Sequence, residues 1–143
     1  MRLSPHFTLD ELRGSRAPAW AQSALRALAV DLLEPVRLRW GPVVITSGYR
    51  DPGRNAGAGG VPTSQHPRGE AADFRTPEAD LEAVWRWISW SSGLAFGQCI
   101  YEAPPGKEPW IHVSLGAPWR DAARCGQVLR YDGEAYWHVR RPG

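Results

Sequence analysis

Cysteine, net charge and long apolar runs are all scarce in this sequence, and each shortage excludes a class of function. Its two cysteines, Cys99 and Cys125, lack the close spacing of a thiolate zinc site, so we expect two ordinary thiols. The formal net charge is only +2, and the 17 Lys and Arg residues are spread along the chain, so no nucleic-acid-binding face is predicted. No stretch approaches the roughly 20 apolar residues that a membrane span requires.

The N-terminus also lacks a targeting pattern. Residues 1–7 read MRLSPHF, without the apolar run of a secretory signal, so we expect no export by that route. A chain of 143 residues, 43% of them hydrophobic, is long enough for one domain with a substantial core. We therefore expect a single domain over residues 1–143 and, by default, a monomer.

One stretch in the first half of the chain concentrates the residue types that carry chemistry. It begins with VITSGYR at residues 44–50, an apolar strand pattern that ends in an arginine, and it closes with SQHPRGEAADF at residues 64–74. A glycine-rich loop at residues 57–60 lies between them. Glycine and proline permit tight turns where side chains would obstruct, so the segment can fold back and bring His66 near the strand that bears Asp73.

The aspartate in this stretch is a candidate metal ligand. Asp73 follows Ala71 and Ala72 in an apolar strand pattern. Burying a carboxylate there costs roughly several kcal/mol unless a cation or hydrogen-bond donors compensate it. The imidazole of His66 and the carboxylate of Asp73 suit zinc, which in catalytic sites takes about three protein ligands. A third ligand is therefore expected elsewhere in the chain.

The helical patterns occur before and after this stretch. TLDE at residues 8–11 matches a capping box and predicts a short helix. Apolar residues recur at helical spacing over residues 18–40, which predicts a helix that backs the sheet. Pro35 lies inside that pattern and predicts a kink or break near residues 33–34. A further helix is predicted to start at residues 76–77, where a threonine cap precedes a proline.

Strand patterns account for much of the rest. Residues 43–47 are apolar and β-branched between glycines and prolines, which predicts a buried strand. Residues 98–102 and 110–114 read as two strands of a hairpin, joined by a loop rich in proline and glycine. A terminal hairpin is predicted over residues 128–138, turning at Asp132 and Gly133.

The register of the first hairpin supplies a candidate third ligand. If Glu102 lies opposite Trp110, then Ile100 lies opposite His112, and all four side chains share one face of the sheet. His112 is then the candidate ligand, and Glu102 is its diagonal neighbour at roughly 7 Å between backbones. A slip of one residue would move every side chain to the other face and destroy this arrangement.

Three motifs together resemble a known family. SGYR at residues 47–50, SQH at 64–66 with AD at 72–73, and WIHVS at 110–114 occur in the order and at the spacing of the M15 zinc peptidases. That family includes the D-alanyl-D-alanine carboxypeptidases and phage endolysins that act on peptidoglycan. The resemblance implies an α+β fold like that of hedgehog-type peptidases, with a small antiparallel sheet flanked by helices.

The resemblance also implies a site. It implies that His66, Asp73 and His112 bind Zn²⁺, and that Arg50 contacts a substrate carboxylate or the developing oxyanion. The remaining substrate-binding candidates lie in the same motifs and are Tyr49 and Ser64. A plain structural salt bridge is the alternative reading of Arg50, because arginine at the end of a strand often pairs structurally.

The catalytic carboxylate is where this sequence departs from several members of the family. Those members carry it three residues before the last histidine, where this chain has Pro109, which cannot serve. The subgroup that the chain most resembles has instead a glutamate at the end of the preceding strand, which falls on Glu102. Glu108, in the loop, is the alternative. Glu102 is the predicted base, because it sits on an ordered strand rather than in a proline-rich loop.

The function implied is hydrolysis of a peptide bond in a peptidoglycan stem peptide. Carboxypeptidase action at the terminal D-alanine and endopeptidase action within the stem, as at an L-alanyl-D-glutamate bond, both remain open. A domain that keeps the zinc fold but only binds the wall, or serves a phage particle, is the alternative from another class. We expect a protein that stays in the cytoplasm until it is released, as phage lysins do, or a component of a phage particle.

Overall fold

The computed structural model describes residues 1–53 and 64–143. The glycine-rich loop of the sequence prediction, residues 57–60, lies outside the described residues. Eight strands are described, with the following bounds in chain order: β1 Arg2–Ser4, β2 Phe7–Thr8, β3 Val44–Ser47, β4 Ala71–Arg75, β5 Phe96–Glu102, β6 Trp110–Leu115, β7 Gln127–Tyr131 and β8 Tyr136–His138.

Six of these strands form one sheet in the order β3-β4-β6-β5-β7-β8, and β1 pairs with β2 separately. Neighbouring strands within the described sheet run antiparallel except β5 and β7, which are parallel. Both predicted hairpins are present, as β5–β6 and β7–β8. The α+β prediction, with a small, mainly antiparallel sheet flanked by helices, is confirmed.

The helical segment over residues 19–40 changes its hydrogen-bonding pattern just before Pro35. It runs as α1 Ala19–Leu28, a π-helical turn Ala29–Leu33, and α2 Glu34–Trp40. The Glu34 N–H donates to the Ala29 carbonyl five residues earlier. Pro35 follows at the start of α2, where its missing N–H does least harm. The predicted break near residues 33–34 is therefore a change of helix type rather than an interruption.

One hydrophobic core joins the helices to one face of the sheet. Phe74 of β4 and Ile111 of β6 are fully buried in it together with the apolar faces of α1 and α2. A third helix, α3 Leu81–Arg86, brings Trp85 against β5, where its indole N–H donates to the Cys99 carbonyl at 3.3 Å. Because side chains alternate along strands, Asp73 and the other site residues point to the opposite face.

The capping box forms its hydrogen bonds without a helix. The Glu11 N–H donates to Thr8 Oγ1 at 3.2 Å, and the Thr8 N–H donates to Glu11 Oε1 at 3.0 Å. The segment is nevertheless a turn, so the prediction of a short helix is wrong. Arg13 takes a left-handed conformation with φ of 59°, and the Gly14 N–H closes back onto the Leu9 carbonyl, which ends the segment after one turn.

Two further predictions need correction. The helix predicted from residues 76–77 begins at Leu81, because the side chain of Asp80 caps it by accepting from the Ala83 N–H at 3.0 Å. The strand predicted as buried is the edge strand β3, in which Val44 is 51% exposed. An edge strand has a neighbour on one side only, so its side chains gain less cover than the sequence pattern suggests.

Neither cysteine is in a disulfide, as expected, and Cys99 is buried while Cys125 is partly exposed. Burial raises the pKa of the Cys99 thiol to about 12, so this side chain behaves as a small apolar group. Within the described part of the chain, no helix is both long enough and apolar enough to cross a bilayer.

Candidate metal centre and catalytic site

Two neighbouring strands and one short turn bring the three predicted ligands together. Asp73 on β4 lies directly opposite His112 on β6. Asp73 Oδ1 is 2.9 Å from His112 Nδ1 and 3.2 Å from His66 Nε2. All three side chains are buried. The ligand-bearing atoms of the cluster lie within 4.8 Å of one another.

His66, the first of these ligands in the chain, lies at the start of a 3₁₀ turn, His66–Arg68. Gly69 ends the turn with φ of +74°, and a Cβ at this position would overlap the Ala21 carbonyl oxygen of α1. Both backbone polar groups of His66 are hydrogen-bonded. The His66 N–H donates to Ser64 Oγ at 3.2 Å, and the His66 carbonyl accepts from the Arg50 N–H at 3.4 Å. The predicted approach of His66 to the Asp73 strand is thus present in the described residues.

The backbone fixes which nitrogen of His66 faces the cluster. His66 Nδ1 lies 2.8 Å from the Gly48 carbonyl oxygen, which can only accept, so Nδ1 carries the proton. The lone pair of Nε2 is then directed toward Asp73. A carbonyl behind the imidazole is the arrangement that orients histidine ligands in metal sites.

The charges of the cluster favour a buried carboxylate with a cationic partner. Burial alone would raise the pKa of Asp73, but the hydrogen bond from His112, with the nearby His66 imidazole, holds it well below its usual range. Burial acts to lower the pKa of His112, and the hydrogen bond and charge of Asp73 outweigh it and raise that pKa. For His66, burial prevails and the pKa is lowered. Asp73 is therefore ionised and His66 neutral near pH 7, which are the forms that bind metals.

The donor set fits zinc. Two imidazole nitrogens and one carboxylate oxygen are ligands that zinc takes in catalytic sites, with a position left for water or substrate. His66 already has the carbonyl partner that such a ligand needs, and Asp73 is held in the ionised form that binds a metal. The residues that would hold the ion are therefore His66 through Nε2, His112 through Nδ1, and Asp73.

Arg50 joins the cluster from the end of β3. Its Nη2 lies 3.5 Å from Asp73 Oδ2, and its Nε donates to Ser47 Oγ at 3.2 Å. The side chain is about one-fifth exposed, with a relative accessibility of 20%. The guanidinium thus reaches the His66, Asp73 and His112 cluster while it keeps access to solvent.

Glu102 lies where the hairpin register predicts. Ile100 pairs with His112, and Glu102 pairs with Trp110, so Glu102 is the diagonal neighbour of His112 on the same face. Glu102 is buried, and this burial raises its pKa. Glu108 has a side chain that is 82% exposed and lies 3.8 Å from Arg75 Nε, outside the cluster.

The comparison with known families agrees with this geometry. A family model described as Peptidase M15 matches residues 5–114, more than half of the chain. The chain belongs to the M15 peptidase family. No match was found among the curated proteins. The matched range of the M15 domain includes Arg50, the His66, Asp73 and His112 cluster, and Glu102, and it ends before β7 and β8.

Two other residues of the M15 motifs have structural partners. The Tyr49 N–H donates to the Leu12 carbonyl at 2.8 Å, and its ring packs against the hydrophobic core. Ser64 Oγ accepts from the His66 N–H. These contacts hold the site together, and the substrate-binding roles of Tyr49 and Ser64 stay predictions.

A polar network around Gln65, next to the M15 site, was not predicted from the sequence. Gln65, next to His66, donates through Nε2 to Glu70 Oε1 at 3.1 Å and to the Leu115 carbonyl at 3.0 Å. Its Oε1 accepts from Arg120 Nη1 at 2.9 Å. The network braces the turn that carries His66. Arg120 is 55 residues from Gln65 in sequence, and no periodicity or motif spacing signals such a contact.

We predict that Arg50→Lys lowers the activity of this M15 peptidase about tenfold or more while zinc content is kept. Lysine retains the charge but loses the planar fork that binds a carboxylate or an oxyanion in two places. Arg68→Lys is the matched control, because Arg68 is exposed on the turn that carries His66. The checks are kcat and KM on soluble peptide, with the melting temperature of each variant.

Unimpaired turnover of Arg50→Lys, or a loss of melting temperature as large as the loss of activity, would leave Arg50 as a structural partner of Asp73. An effect confined to KM would assign it to uniform substrate binding.

Proposed function

We propose that the protein is a zinc-dependent peptidase that cleaves peptide bonds in the stem peptides of peptidoglycan. The observation that carries the proposal is a buried His66, Asp73 and His112 cluster with a buried carboxylate, Glu102, on the same face of the sheet. Membership of the M15 peptidase family supports peptide hydrolysis as the reaction.

Zinc, when bound, supplies a Lewis acid that polarises the scissile carbonyl and makes water more acidic. His66 and His112 would hold the ion through their ligand nitrogens, and Asp73 would supply the negative charge that balances it. The Gly48 carbonyl keeps the proton of His66 on Nδ1, away from the metal side.

Glu102 moves the proton in this scheme. Its carboxylate accepts a proton from the attacking water and then donates it to the amine that leaves. Burial raises the pKa of Glu102, which brings the carboxyl closer to the neutral range in which a group can both accept and release a proton. Glu108, exposed and paired with Arg75, lacks this environment.

Arg50 binds negative charge at the other side of the cluster. It approaches Asp73 from the end of β3 and is partly open to solvent. A guanidinium in this position can bind the terminal carboxylate of a stem peptide, which favours carboxypeptidase action, or stabilise the developing oxyanion at an internal bond. The proposal covers both bonds.

Zymography on purified peptidoglycan tests the proposal. The zinc-loaded protein is expected to release product from the peptidoglycan, seen as clearing of the gel for an endopeptidase or as free D-alanine in a parallel digest for a carboxypeptidase. That activity is expected to be lost with a chelator and regained when zinc is added. Analysis of the products then separates the two reactions, because a carboxypeptidase releases free D-alanine and an endopeptidase releases stem fragments with new amino termini.

A pull-down on the same peptidoglycan serves as the control. Protein that binds the material and releases no peptide or amino acid in any zinc-loaded preparation would contradict the proposal. That result would favour a silent wall-binding domain.

A further inference from the structure

A side chain of the C-terminal hairpin contacts Glu102, the proposed base. The Tyr136 hydroxyl, on β8, donates to Glu102 Oε1 at 3.2 Å. This residue lies beyond residues 5–114, the range that matches the M15 family. The contact therefore joins a strand outside the matched range to the carboxylate on which the proposed reaction depends.

The sheet geometry explains how a residue two strands away reaches Glu102. Glu102 pairs with Tyr131 of β7, and Tyr131 pairs with Tyr136 of β8, so the three side chains form one row on one face. Neighbouring strands are about 4.8 Å apart, so the row spans about 10 Å between β5 and β8. The Tyr136 ring stacks on the Tyr131 ring with centroids 4.3 Å apart, and its hydroxyl extends across to Glu102.

Side-chain and backbone hydrogen bonds close the hairpin that carries Tyr136 and join it to the end of β5. In its turn, the Asp132 carboxylate accepts from the Glu134 and Ala135 N–H groups, each at 2.9 Å. At the other edge of β7, the Tyr131 carbonyl accepts from the Ala103 N–H at 2.8 Å. A side chain on such a fixed element can hold its partner in one orientation.

The direction of the hydrogen bond is set by the two ionisation states. Tyr136 as a residue is 55% exposed, but desolvation at its hydroxyl, with the charge of Glu102, raises its pKa, so the phenol keeps its proton. A phenol O–H donates and a carboxylate accepts. The bond occupies Oε1 of the Glu102 carboxylate.

We propose that Tyr136 is a positioning residue, whose hydroxyl holds the Glu102 carboxylate in the orientation that takes the proton from water. The inference rests on the proposed function. Tyr136 acts through Glu102 and is not assigned contact with the reacting atoms.

A double-mutant cycle tests the inference on soluble muropeptides prepared from purified peptidoglycan. The variants are Tyr136→Phe, Glu102→Gln and the two combined, all loaded with zinc, with kcat, KM, zinc content and melting temperature measured for each. Tyr131→Phe is the matched control, because it removes a hydroxyl from the neighbouring ring of the same stack.

Tyr136→Phe is expected to lower kcat about tenfold with KM changed less than about twofold, since a hydrogen bond to a charged group is lost while the ring and its stacking remain. Zinc content and melting temperature are expected to stay at wild-type values, and Tyr131→Phe to match the wild type. Combined with Glu102→Gln, Tyr136→Phe is expected to add no further loss, because its effect passes through the carboxylate.

Wild-type kcat in Tyr136→Phe would overturn the inference and leave the proposed function standing. An equal loss in the wild-type and Glu102→Gln backgrounds would also overturn it, because the hydroxyl would then act independently of Glu102. A wild-type protein that releases no product would overturn the proposed function, and this inference with it.

Discussion

The Glu102→Gln variant is expected to lose about 100-fold or more in kcat while it keeps its fold and its zinc. The amide has nearly the same size as the carboxyl, and its oxygen can still accept from the Tyr136 hydroxyl. It cannot accept a proton from water. The three ligand side chains are unchanged, so metal content measures their integrity separately from the chemistry.

Glu108→Gln is the control for this loss, because the same change is made at a carboxylate six residues away. Glu108 is 82% exposed and pairs with Arg75, so we expect its variant to work within about twofold of the wild type. A reversed outcome, with Glu108→Gln inactive and Glu102→Gln near wild type, would mean that the β5–β6 loop folds over the metal during the reaction.

His66→Ala is expected to abolish stoichiometric zinc binding and to lower activity about 1,000-fold or more. The change removes one of three protein ligands, and loss of a Lewis acid that contributes several kcal/mol to the transition state corresponds to about this factor. Atomic absorption on the purified variant and product release from peptidoglycan are the measurements.

His138→Ala controls for the removal of a histidine as such, because His138 is exposed at the end of β8. It is expected to retain zinc and activity. Melting of the metal-free forms must be compared as well, since His66 is buried and its loss leaves the Gly48 carbonyl without its partner. A His66→Ala protein that folds and still binds one zinc would show that the ion is held elsewhere.

The arrangement of the site follows largely from local sequence rules. Strands alternate their side chains with a period of two, and a proline- and glycine-rich loop limits how the β5–β6 hairpin closes, so the pairing of Ile100 with His112 could be predicted. Pro35 likewise marks where the long helix must change, because it lacks an N–H.

The errors concern features that depend on the tertiary structure. Burial of β3 could not be predicted from its apolar residues, because its place at the sheet edge is decided by the order of all six strands. The start of α3 was misplaced because Asp80, rather than the predicted Thr76, caps the helix by accepting from a helical N–H, while the Thr76 hydroxyl donates to the Ala79 carbonyl.

Contacts between distant segments also could not be predicted from the sequence. Tyr136 and Glu102 are 34 residues apart, and they meet because β7 aligns in parallel with β5. A parallel pairing leaves no hairpin signature, so neither the register nor the contact has a local pattern.

The zinc content of the purified protein tests the central claim most directly. After dialysis against zinc and removal of excess ion, metal analysis is expected to give one zinc per chain, released by a chelator and regained on addition of zinc. Protein that holds no stoichiometric zinc and cannot be loaded with it would contradict the assignment of His66, Asp73 and His112 as a zinc site.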